Sequence, residues 1–298
     1  MSQFFELLIS GLSLGCIYAL IAMGFVVVFK ATNVVNFAHA SILMLGAYLV
    51  ARLHEQLGFF GALAVSVLAC AFAAALIDLV LVRALRRQGG DQDTLAILTI
   101  GINVLLGTEL ARRVGTDLLP TGAPWGSDVT HLFGVTVPQT RIAAAAIAVG
   151  LMVLFWLAFT RSGWGVAMRS AASDPEAAAL MGIPLGRVAY GAWAIAGALA
   201  AIGGAFFTSF PAAGVNNATG LLALTAIPAA VLGGLDSTGG AVVGGLTIGV
   251  ATTMAAGYQD QIAFLGRGLS EVVPYIALLI VLLWRPSGIF GSREVSRV

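Results

Sequence analysis

Residues 4–53 read FFELLISGLSLGCIYALIAMGFVVVFKATNVVNFAHASILMLGAYLVARL. An apolar run fills 4–29. A short polar patch with Asn33, Asn36 and His39 interrupts it, and apolar residues resume over 38–53. About 20 predominantly apolar residues are needed to cross a hydrocarbon layer about 30 Å thick, so the first run is long enough to span a membrane. The run is continuous, whereas a barrel strand would alternate apolar and polar over about 10 residues. It therefore reads as helix. No basic segment precedes it and it is too long for a cleaved signal sequence, so a retained span is expected.

The same reading extends along the chain. Further spans are predicted at 58–82, 94–114, 140–160, 188–210, 240–257 and 269–284, with a second short apolar segment at 221–235. This gives an all-α integral membrane protein of roughly eight or nine transmembrane or half-membrane helices, in one membrane domain over 1–298. Composition agrees. Of 298 residues, 59% are hydrophobic and 10% charged, against about 45–50% and about 25% in a soluble domain. Too little charge is present to cover a water-facing surface. A net charge of +1 offers no basic face to nucleic acid. Cys16 and Cys70 lie inside apolar runs, which argues against a disulfide framework.

Arginine sets the orientation. Arg83, Arg86 and Arg87, then Arg161, Arg169 and Arg187, then Arg285, Arg293 and Arg297 fall on one side when the crossings alternate. The positive-inside rule makes that side the cytoplasm. The C-terminus is then inside, the N-terminus outside and the 115–139 loop outside.

Two stretches echo each other: TNVVNFAHASILMLGA at 32–47 and GVNNATGLLALTAIPAA at 214–230. In each, a long apolar helix ends, a patch with two asparagines follows, and a short apolar helix resumes. The preceding helices run in opposite directions on the orientation above, which predicts inverted repeats with broken helices. In such folds, polar backbone and amides at the break line a solute path. Asn33, Asn36, His39, Asn216, Asn217 and Thr219 are the candidates. Asn and Thr are also favoured helix caps, and one residue can do both. The small residues around Gly239, Gly240, Gly244, Gly245 and Gly249 predict close helix packing, within the chain or across a dimer.

The connection at 161–187, RSGWGVAMRSAASDPEAAALMGIPLGR, is punctuated like a short helix. Ser173 or Asp174 can cap it, Pro175 suits its first position, and Glu176 complements its positive end. Gly182 can adopt the left-handed stop, with Pro184 just beyond. About two turns is too short to persist alone, so the helix is expected to dock on something.

Here a family resemblance enters. Glu176, Ala177 and Ala178, with Gly182 four positions on, resemble the EAA loop of ATP-binding-cassette importer permeases. Segments GCIYALIAMGFVVVFKATNVVNFAHASILMLGAY (15–48), DPEAAALMGIPLGRV (174–188), AIPAAVLGGLDSTGGAVVGGLTIG (226–249) and LLWRPSGIFG (282–291) resemble the LivH-type branched-chain amino acid permease family, in order along nearly the whole chain. Ala40 stands where the family pattern has Gly, and Asp236, Ser237 and Thr238 vary its turn. Urea and short-amide permeases share the scaffold, so the solute stays open. The resemblance implies a permease subunit that couples through Asp174, Glu176, Ala177, Ala178 and Gly182 to two cassette ATPase subunits. It further implies a second, related permease in a heterodimer, an extracytoplasmic binding protein and a bacterial inner membrane.

The only lysine, Lys30, is followed by Ala31, so the chain has no Lys-Ser or Lys-Thr phosphate loop. Any ATP must be bound by partner subunits, and no cofactor or catalytic role is expected of this chain. No zinc motif is present; His39, His54 and His131 are scattered. Asp78 near Arg83, and Glu109 near Arg112 and Arg113, read as paired charges rather than a proton relay. The rival reading is a passive pore. Paired Asn-bearing half-helices are similar to those of aquaporin-like channels, but Asn36-Phe37-Ala38 and Asn217-Ala218-Thr219 are not the Asn-Pro-Ala pattern.

Overall fold

A computed structural model describes residues 2–122, 124–126, 128–132, 135–209, 214–261 and 268–291. Arg293 and Arg297 of the C-terminal arginine cluster lie outside these. The fold is helical: α1 (Ser2–Thr32), α2 (His39–Ile77), a π-helical turn (Asp78–Val82), α3 (Arg83–Arg87) and α4 (Gln92–Val114) come first. Then follow α5 (Gln139–Arg161), α6 (Gly163–Ser173), α7 (Pro175–Leu180), α8 (Leu185–Ser209), α9 (Thr219–Ala223), α10 (Ala226–Gly233), α11 (Thr238–Gly257) and α12 (Leu269–Trp284). Among the described residues, six helices are long and apolar enough to cross a membrane, and α12 is a shorter apolar helix. The protein is an all-α, multi-pass membrane protein.

Every expected span has a helix, with four differences in detail. First, α2 has 39 residues, about 58 Å if straight at about 1.5 Å per residue, twice the hydrocarbon thickness. It is not straight. Gly58 sits at φ 68°, ψ 167°, a conformation open to glycine, and the chain folds back there. Ser66 Oγ donates to the Gly46 carbonyl at 2.8 Å and Cys70 Sγ to that of Ile42 at 3.5 Å. The two arms, 39–57 and 59–77, form a helical hairpin. Second, the 221–235 segment is two helices, α9 and α10, rather than one. Third, α6 precedes the expected docking helix. Ser162 caps it by accepting from the Gly165 N–H at 3.0 Å, and Gly165, Met168 and Ala171 form its buried face. Fourth, the 115–139 loop carries an antiparallel hairpin of β1 (Val129–Leu132) and β2 (Val135–Pro138).

The chain forms two compact units. One comprises Met1–Val26, Trp125–Ala148 and Leu224–Val298; the other comprises Val27–Pro124 and Val149–Ala223. In the first, α11 lies against α1 through the glycine stripe. A Cβ on Gly15 would stand 2.7 Å from the Leu246 Cα, and one on Gly11 2.8 Å from the Val250 Cα. Gly245 meets Ala19, Gly249 meets Gly15, and Gly240 and Gly244 meet Gly233 and Ala229 of α10. The stripe therefore works within the chain. Small side chains let the backbones touch where packing, not water exclusion, drives association. After α12, residues 285–291 return to α10, where the Ile289 and Phe290 N–H groups donate to the carbonyls of Leu232 and Gly233 at 2.9 and 3.0 Å.

Candidate functional site

All the residues singled out for a path or a docking helix fall in the second unit. The first polar patch is a break between α1 and α2. Asn33 ends α1 in the left-handed region, at φ 55°, with its N–H donated to the Phe29 carbonyl at 2.6 Å. Asn is one of the few residues that enter that region readily, so Asn33 is the helix stop, and its side chain is exposed. His39 opens α2 with no exposed surface.

The break would leave backbone groups orphaned inside an apolar protein. Helix α4 satisfies them. Thr99 Oγ1 accepts from the Phe37 N–H at 3.2 Å and reaches the Val35 carbonyl at 3.2 Å. Asn103 Oδ1, one turn further on, accepts from the Ser41 N–H at 3.1 Å. Thr99 and Asn103 thus cap α2 from outside. Both escaped the sequence reading, because Thr94 and Thr108 lie in the same helix and nothing local sets Thr99 and Asn103 apart from them.

Asn36 lies inside this scaffold with 1% of its surface exposed. Neither its Oδ1 nor its Nδ2 has a hydrogen-bond partner among the described residues. A buried amide in that state calls for a reason, since the great majority of such groups are paired.

The second patch is closed on itself. Asn216 Oδ1 accepts from the Ala218 N–H at 3.0 Å and from the Thr219 hydroxyl at 3.2 Å, while Thr219 Oγ1 accepts from the Asn216 N–H at 2.9 Å. This reciprocal set caps α9. Thr219 is buried, Asn216 half-buried and Asn217 exposed. The patch does not meet the first one end to end. Val215 packs with Met44, Ala47 and Ala51, one to three turns beyond His39 along α2. Asn36 and His39 thus stand at the start of that arm, with the 214–219 segment alongside its middle.

Helix α7, where a docking helix is expected, carries the expected punctuation. Of the two possible caps the chain uses Asp174, whose Oδ1 accepts from the Ala177 N–H at 2.9 Å. Pro175 opens the helix and Glu176 lies in its first turn. At its end the Gly182 N–H donates to the Ala179 carbonyl and the Ile183 N–H to the Ala178 carbonyl, each at 3.0 Å, with Gly182 at φ 83°. That pair of bonds is the Schellman stop. Ala178 is buried; Asp174, Glu176, Ala177 and Gly182 are exposed. Leu180 and Met181 stand 89% and 83% exposed at the tip.

The paired charges are also in place. Arg83 Nε lies 3.1 Å from Asp78 Oδ2, and Glu109 binds Arg112 at 2.8 Å and Arg113 at 2.7 Å. Outside the spans, Asp91 caps α4; the hydroxyl and N–H of Thr94 hold its carboxyl below the usual carboxylate range.

Comparison with known proteins agrees in coverage. The family model for the branched-chain amino acid transport system permease component matches residues 7–282. The chain is 32% identical to the high-affinity branched-chain amino acid transport system permease protein BraD of Pseudomonas aeruginosa, over 99% of this chain and 98% of that one. It is 30% identical to LivH of Escherichia coli, with the same shares covered. It is 27% identical to a probable LivH of Methanocaldococcus jannaschii, over 91% of this chain and 88% of that one. The chain belongs to the family of branched-chain amino acid transport system permease components.

Proposed function

We propose that this chain is the transmembrane permease subunit of an ATP-driven importer, taking up branched-chain or closely related amino acids across a bacterial inner membrane. The observation that carries the coupling part is α7. A helix of six residues is far below the length that persists alone. Yet it is capped at both ends and turns two large apolar side chains outward. Such a tip supports insertion into a groove on another protein, and the reading assigns that groove to a cassette ATPase on the cytoplasmic face. Asp174, Glu176, Ala177, Ala178 and Gly182 form the coupling segment.

ATP is held by two partner ATPases. They close on binding it and carry α7 with them, and the path changes its open side. A second, related permease completes the channel, and an extracytoplasmic binding protein delivers the solute. A charged solute loses its hydration in an apolar passage, and Asn36 and His39, with the patch at Asn216, Asn217 and Thr219 and the end of α1 at Asn33, replace part of it. The names borne by the relatives support the solute class.

Purification of the tagged chain from its host in mild detergent, followed by mass spectrometry of its companions, tests the assembly. Two cassette ATPases and a second permease are expected. The chain recovered alone as a homo-oligomer, with uptake that survives ATP depletion, would replace this reading with a passive pore.

A further inference from the structure

One cluster of charged side chains has no part in the site as described. Asp78 opens the π-helical turn, and its side chain is 2% exposed. Its partner Arg83 binds it through Nε and, through Nη2, donates to the carbonyl of Gly186, four residues past Gly182. Arg86, three residues on from Arg83 and also in the field of Asp78, donates through Nη2 to the carbonyl of Thr32 at 2.7 Å. Thr32 is the last residue of α1, directly before the break at 33–38.

A second tie runs parallel to the first. Arg169 of α6, five residues before Asp174, donates to the Phe159 carbonyl and lies 5.3 Å from the centroid of the Phe159 ring. Lys30 Nζ lies 5.0 Å from the same centroid. The two ties leave the chain on either side of α7, and both end on residues 30–32.

A buried carboxylate in a membrane helix is costly and is kept for a reason. Pairing Asp78 with Arg83 alone would satisfy it. What that pairing does not require is that both arginines also grip main-chain carbonyls of two other elements. A π-helical turn, a rare form that is frequent at functional sites, bears the carboxylate.

We propose that Asp78, Arg83 and Arg86 are positioning residues that carry movement of the segment around α7 to the end of α1, and so to the break that holds Asn36. This rests on the reading of α7 as the docking helix.

The test uses the assembly purified with its ATPases and a reporter thiol, Val35→Cys, in the half-buried break; Cys16 and Cys70 are both buried. Maleimide labelling of the reporter is timed with and without ATP and vanadate, beside the ATP hydrolysis rate. The parent is expected to change its labelling rate about tenfold on trapping, within the usual range of allosteric coupling. In Asp78→Asn and in Arg86→Gln, hydrolysis persists and the change shrinks below about twofold; Asp78→Glu restores it. Arg86→Gln leaves the Asp78–Arg83 pair intact and carries the test if Asp78→Asn does not assemble. An undiminished change in the hydrolysing variants overturns the linkage. No change in the parent overturns the docking reading and the linkage with it.

Discussion

Asn36 is held where it costs stability. An amide buried without partners forfeits about 1–3 kcal/mol, and a leucine of similar size would relieve that. If the amide exists for a solute, Asn36→Leu raises the thermal unfolding midpoint in detergent while uptake falls at least about tenfold. If it exists for packing, midpoint and uptake fall together. Thr99→Val removes the hydroxyl that serves the Phe37 N–H and the Val35 carbonyl. It should cost about 1–3 kcal/mol, read as a lower midpoint with the helical content unchanged. At this scale the sequence was legible wherever partners are near in the chain. The capping role read for Asn216 and Thr219 acts within three residues, and the end of a long helix at the 32–39 patch is equally local. Thr99 and Asn103 were not legible, because the break's groups they satisfy lie 62 or 64 residues away. Nothing local separates them from polar residues that bond their own helix.

The same contrast governs the elements. Helix α7 could be written out from sequence because its start, body and stop are all local. Its length leaves it little reserve: Asp174→Ala removes a cap worth about 1 kcal/mol, and Gly182→Val forces a branched residue into a left-handed position at about 1–2 kcal/mol. The double variant should still insert in the membrane but lose its ATPases on purification. Leu180→Asp with Met181→Asp should do the same with α7 intact, separating the contact surface from the helix. Retention of the ATPases in both would exclude α7 as the docking element. For α2 the gap between 38–53 and 58–82 marked the break at Gly58, but not the fold-back. That depends on Ser66 and Cys70 reaching carbonyls 20 and 28 residues earlier. The π-turn at Asp78–Val82 likewise follows from tertiary contacts, since its residues Asp-Leu-Val-Leu-Val read as ordinary helix.

For the whole molecule, composition and span length sufficed to give the class, because a bilayer admits few backbone solutions. Packing was partly legible: the glycine stripe of α11 predicted a close approach without naming α1 and α10 as its partners. Gly249→Leu places a large side chain against Gly15 and Gly11, and overpacking of this kind costs about 1–3 kcal/mol or more. Reduced recovery of folded protein from the membrane is expected, whereas Gly239→Ala, with nothing within 4 Å of the added carbon, should be neutral. On the proposed function, transport driven by partner ATPases works through α7. It is tested most directly by uptake of radiolabelled leucine into proteoliposomes holding the co-purified assembly and its binding protein, with residues 174–182 native or replaced by a Gly-Ser segment of equal length. ATP-dependent uptake is expected from the native assembly and none from the replacement, with the chain still inserted. Equal ATP-driven uptake by both would contradict it.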